Sequence, residues 1–203
     1  MRTFWMGLAV LAMAATSWAS DAPDVKIGDW VKTSTTVTTP EMPPGMPQMP
    51  VLTTVRVVGI DVEADAATLE EEVAMVIPGM ADPVVMETET REVPLHTLVN
   101  TLLVADTTLD IPDDVDMEVA EEGKKTVVAG GKTYENVPWR KTRMSAVDEE
   151  GGYVGEMEVW IDPGEVMPLA RYLKVTMRNA ITARGEVLSD VTIVIERLGY
   201  GRK

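Results

Sequence analysis

Residues 153–178 read YVGEMEVWIDPGEVMPLARYLKVTMR, and the alternation at both ends of this stretch decides the fold class. In Tyr153–Ile161, Tyr153, Met157, Val159 and Ile161 fall on one face, and Glu156 and Glu158 on the other. In Arg171–Arg178, Leu173, Val175 and Met177 face one way, and Tyr172, Lys174, Thr176 and Arg178 the other. A period of two marks a strand with one buried face. Asp162-Pro163-Gly164 between the two runs is turn chemistry. Neighbours joined by a short turn pair antiparallel, so Glu156 and Glu158 are expected to pair across to Lys174 and Arg178.

The same period recurs outward from this stretch, in Thr53–Ile60, Thr68–Ile77 and Val191–Ile195. Glu63-Ala64-Asp65, Gly130-Gly131 and Glu150-Gly151-Gly152 read as turns between strands. Thr68–Met75 contains good helix formers, but its hairpin position and the following Val76-Ile77 favour a strand. Leu95–Ala105 reads as a short helix. Together these patterns predict a mainly β protein of about eight to ten strands. The expected form is a strongly curved antiparallel sheet or open half-barrel with at most one or two short helices. Where no helix fills it, the concave face of such a sheet is a cavity.

Two stretches break the alternation. Residues 40–50, PEMPPGMPQMP, hold five prolines in eleven positions and can be neither helix nor central strand. Residues 106–123 are acidic and poor in large apolar groups. They read as a long connection with one short strand at Val115–Val119.

The first nineteen residues, MRTFWMGLAVLAMAATSWA, have the layout of a secretory signal peptide. Arg2 supplies the positive tip, Phe4–Ala15 the apolar run, and Ser17 and Ala19 the small residues before cleavage. Cleavage after Ala19 leaves Ser20 first and residues 20–203 as a single β-rich domain. The apolar run is well short of the roughly twenty residues of a spanning helix, so no stable membrane anchor is expected after cleavage. The location expected is periplasmic or extracellular. The chain has no cysteine, which excludes disulfides, thiolate chemistry and a lipid-modified cysteine. Its net charge of −15 repels phosphate backbones, so nucleic acid is not an expected partner.

Candidate chemistry is sparse. His96 is the single histidine, and no Gly-x-Ser-x-Gly turn accompanies it. Glu156 and Glu158 have the chemistry to flank a glycosidic bond, but alternating glutamates also read as a solvated strand face. Glu70-Glu71-Glu72 splits over both faces of a strand, with solubility as its plain role. Arg140, Lys141, Arg143, Arg171, Lys174 and Arg178 form a late basic cluster, which suits either an anion or cross-strand acids. Met42, Met46 and Met49 sit in the proline-rich stretch, and Met80 and Met86 follow. Thioethers are soft ligands that select monovalent copper. Equally, with fourteen methionines and one phenylalanine, the chain uses methionine as a general apolar residue.

Glu158-Val159-Trp160-Ile161-Asp162-Pro163, then Met167-Pro168-Leu169 and the strand Arg171–Met177, resemble the lipoprotein-localisation (LolA/LolB-like) half-barrels of the bacterial envelope. Ile27-Gly28-Asp29-Trp30-Val31 and the Gly131-Lys132-Thr133-Tyr134 hairpin are similar to uncharacterised exported bacterial β-proteins with a comparable tail. The first resemblance implies a curved sheet that holds acyl chains under a helical lid. This chain departs from it by having almost no candidate lid helix, and no functional residue is carried over. The expected function is that of an exported, non-catalytic β-domain, with no cofactor, which binds an apolar ligand or an envelope protein. The alternative is monovalent copper held by Met42, Met46 and Met49.

Overall fold

The computed structural model describes residues 25–40, 49–95, 116–147, 151–164, 170–183 and 186–203. Nine strands follow in chain order: β1 (Asp29–Thr38), β2 (Val51–Asp61), β3 (Ala66–Met75), β4 (Val84–Pro94), β5 (Asp116–Ala129), β6 (Lys132–Val147), β7 (Gly151–Ile161), β8 (Tyr172–Ala183) and β9 (Glu186–Arg202). All belong to one antiparallel sheet in the order β4-β3-β2-β1-β9-β8-β7-β6-β5. It is an open curved sheet, not closed into a barrel. Consecutive strands are neighbours except at one place. β1 pairs with β9, and the chain passes from one edge to the other between β4 and β5.

The turns follow their residue chemistry. Gly130 and Gly131 have φ of 54° and 75°, the two positive values that a tight β5–β6 hairpin needs. In the β3–β4 connection, Met80 N–H donates to Ile77 O (3.1 Å) across Pro78-Gly79. Proline at the second position and glycine with φ 89° at the third make this a type II turn. Asp61 Oδ1 accepts from the N–H groups of Glu63 and Ala64, each at 3.0 Å, and Asp65 closes that hairpin at φ 51°. Asp162 Oδ1 likewise accepts from Gly164 N–H (3.0 Å).

Thr68–Met75 is strand, as its alternation requires. Glu71 is turned to the buried face, where it pairs with Arg91 of β4, and Glu70 faces outward to Arg56 of β2. The expectation of a connection through residue 123 needs correction, because β5 starts at Asp116 and runs unbroken through Gly123 to Ala129. The reason lies in its partner. Glu118, Glu121 and Glu122 stand opposite Arg143, Lys141 and Arg140 of β6, so acids that disfavour an isolated strand are matched across the ladder. Gly151 and Gly152 open β7 instead of making a turn, paired with Ala183 and Thr182. Of the expected helix Leu95–Ala105 only Leu95 is described, and residues 106–115, most of the 40–50 stretch and the signal segment lie outside the described residues.

The sheet curls around its buried face. Val127 and Ala129 of β5 join one cluster with Val137 of β6 and Leu173 of β8. The β5–β6 turn rests on β9, where a Cβ on Gly130 would come within 2.5 Å of Arg197 O. A second cluster gathers Met144, Met157, Val175, Met177, Ile193 and Ile195 from β6 to β9. A third joins Val31, Val55, Val57, Ala67, Leu69 and Val93 from β1 to β4 with Ala170. Arg197 locks the closed end. It is buried, bonds Asp162 Oδ2 at 2.5 Å and Ala170 O, and lies 4.7 Å from the centre of the Tyr200 ring.

Candidate functional site

The inner face of β5 to β9 is built in ladder rows. Thr142, Met157, Met177, Ile193 and Val37 stand opposite one another on five successive strands, β6, β7, β8, β9 and β1. On one side lies the row Arg140, Val159, Val175, Ile195, Thr35, and on the other Met117, Met144, Gly155, Asn179, Val191. Alternation puts these residues inward, and burial confirms it: Met144 and Met157 are 1 % exposed and Met177 0 %. Gly155 leaves space between Met144 and Asn179, which are its register partners on either side. The surface is thus mostly apolar, centred on three unbranched thioethers, with Thr142 and Asn179 as buried polar points and Arg140, paired with Glu122 at 3.5 Å, at the end of one row. Methionine has several rotatable bonds and a polarizable sulfur, so such a surface can re-form around different apolar shapes.

The outer face of the same strands is the opposite in character. Glu156 pairs with Lys141 (2.9 Å) and Arg143 (3.3 Å), Arg178 with Asp190 (2.7 Å), and Lys174 with Glu196 (2.7 Å). Lys141, Arg143, Lys174 and Arg178 are four of the six basic residues that the sequence offered for an anion, and they are engaged across the strands; a fifth, Arg140, pairs with Glu122 at 3.5 Å. The choice of partners needs one correction. Glu156 does stand opposite Arg178 in register, but its ion pairs run to β6, while Lys174 and Arg178 turn to β9. Glu158 accepts from Trp139 Nε1 (2.9 Å), and Lys125 Nζ lies 3.1 Å from the centre of the Trp139 ring.

The electrostatics of this face do not suit acid catalysis. The hydrogen bond from Lys141, then that from Arg143 and the charges of both, hold the Glu156 carboxyl below its ordinary range against some desolvation. A general acid needs the reverse shift. Asp190 is lowered in the same way by its hydrogen bonds and charge pairing with Arg178. On the buried side, desolvation pushes the Tyr172 phenol up to about 12, so it stays neutral. Among the described residues, no group of three or more histidines, cysteines or acids is placed to hold a metal ion.

The thioethers singled out in the sequence divide. Met42 and Met46 lie outside the described residues. Met49, Met80 and Met86 are 47 %, 56 % and 61 % exposed, and all three sit at one end of the β2–β3–β4 side. Pro50 O accepts from Val76 N–H (3.1 Å), Met80 follows in the next turn, and Met86 is the extra residue of a bulge where β4 begins. Alternation in the sequence put Met157 and Met177 on the inner face. It did not single out Met144, Thr142 or Asn179, although the run Lys141-Thr142-Arg143-Met144 carries the same period.

No protein-family model and no curated protein matches the chain. Among solved structures it is similar to a candidate exported protein with YmcC-like fold from Bacteroides fragilis (8% identity, TM-score 0.40, 87% of this chain and 97% of that one). It is also similar to a candidate lipoprotein from Parabacteroides distasonis (6% identity, TM-score 0.38, 90% and 100%). A LolA superfamily protein from Nitrosomonas europaea aligns at 9% identity and TM-score 0.22 over 96% and 94%.

Proposed function

We propose that this protein is an exported, non-catalytic β-domain that holds an apolar molecule against the methionine-lined inner face of its sheet. The observation that carries this reading is the contrast between the two faces. The outer face of β6 to β9 is laced with ion pairs, whereas the inner face gathers an apolar cluster of Met144, Met157, Val175, Met177, Ile193 and Ile195. An acyl chain or similar body would displace deformable thioethers, not rigid aromatic rings. The non-catalytic part rests on Glu156 and Glu158, which are engaged by Lys141, Arg143 and Trp139. The signal-like leader is the support for export. Native mass spectrometry of protein taken from its own envelope tests the proposal. An added mass released by organic solvent is expected. Empty protein that also takes up no fluorescent acyl probe would contradict it.

A second reading is soft-metal binding. Met42, Met46 and Met49 remain its proposed ligands, and the placement of Met80 and Met86 at the same end as Met49 favours it. Titration with monovalent copper against a chromogenic chelator tests this. Replacing Met42, Met46 and Met49 by Leu should abolish competition with the chelator, and undiminished competition would remove these residues as ligands.

A further inference from the structure

The two edges of the sheet are protected differently. β5 carries both signs, and Glu118, Glu121 and Glu122 are already matched by the basic residues of β6. β4, at the other edge, pairs among the described residues with β3 alone. Past the bulge at Met86, residues 87–93 run in unbroken register with β3 and read Glu-Thr-Glu-Thr-Arg-Glu-Val. An edge like this is a template for another strand unless its charges reject the partner.

We infer that β4 pairs antiparallel with β4 of a second copy, centred on Thr90, so that two sheets become one across a two-fold axis. In that register Glu89 stands opposite Arg91 at both symmetric positions. Thr90 faces Thr90, Thr88 faces Glu92, and Glu87 faces Val93. No like charges oppose each other directly. Sliding the pairing by one step that keeps the same face inward sets either Glu89 on Glu89 or Arg91 on Arg91, so charge selects a single register. The contact is isologous, as a two-fold axis requires.

Arg91 keeps part of its side chain exposed at this edge while it pairs with Glu71 of β3 at 3.4 Å. A seven-residue strand pair is a small interface, so the dimer is weak and concentration-dependent. Two chains of charge −15 also repel at long range, and moderate salt should therefore strengthen association.

Sedimentation equilibrium tests the inference. The wild type should pass from monomer to dimer with rising concentration, and more readily in moderate salt. Arg91→Glu and Glu89→Arg should each weaken association by roughly tenfold, since each creates two like-charge pairs. An equimolar mixture of the two variants should recover it, because every pair is then complementary. Wild type that stays monomeric to near-millimolar concentration, or a mixture no stronger than its components, would overturn the proposal. So would weakening by salt, which is the signature of a basic partner segment. Should a charge variant unfold, the absence of cysteine offers a second readout. Thr90→Cys should cross-link under mild oxidation far faster than Val62→Cys at an exposed hairpin tip, and equal rates would refute the two-fold at Thr90.

Discussion

Two tryptophans opposite each other show how little of a residue's role its type reveals. Trp139 and Trp160 are register partners with ring centres 6.5 Å apart. Trp139 is 3 % exposed and donates to Glu158, whereas the Trp160 indole N–H is buried without a partner. Trp139→Phe therefore loses a charge-assisted bond, and Trp160→Phe removes an unsatisfied donor. Chemical denaturation should find Trp139→Phe the costlier by about 1–3 kcal/mol. Nothing in the sequence told the donor of Trp160 from that of Trp139. Glu156 gives a second residue-scale test. Its carboxyl is lowered in the folded state, so its contribution is present above the ordinary value of 4.5 and is lost as pH falls through the folded value. The melting-temperature gap between wild type and Glu156→Gln should shrink on acidification below 4.5, and a gap independent of pH would contradict the Lys141–Glu156–Arg143 assignment.

Among the elements, the strands announced by strict alternation were legible and the charged ones were not. β7 and β8 show their buried face in the order of residues alone, because Met157 and Val159, and Leu173, Val175 and Met177, alternate with polar or charged residues. β5 hides it, because its stability comes from basic residues on β6 that no local window contains. The Gly130-Gly131 turn was legible, but its seat on β9 was not. A Cβ on Gly130 meets Arg197 O at 2.5 Å, whereas one on Gly131 meets nothing within 4 Å. Both carry positive φ. Gly131→Ala should then cost only its backbone strain, on the order of 1 kcal/mol, while Gly130→Ala should cost clearly more in thermal melting. Arg197→Met leaves the Asp162 carboxylate, 12 % exposed, without its cation. Removing one member of a buried pair costs about 3–5 kcal/mol, and a loss under about 1 kcal/mol would show that Arg197 does not hold the closed end.

At the scale of the whole molecule, the sheet joins two apolar clusters through the β1–β9 ladder, so both halves should melt in one transition. On the proposed reading, the inner face of β6 to β9 is where an apolar guest would meet the protein. Its methionines were visible in composition, but only the register gathered Met144, Met157 and Met177 on one surface and left Met49, Met80 and Met86 exposed on the other half. Methyl-labelled methionine makes that division directly readable. With each ε-methyl signal assigned by single Met→Leu variants, a long-chain acyl probe is titrated into the protein and the spectra are followed by NMR. Saturable shifts of Met144, Met157 and Met177, with Met49, Met80 and Met86 unmoved, are the expected result. Shifts confined to the exposed methionines, or none at saturating probe, would contradict apolar-ligand binding on the inner face.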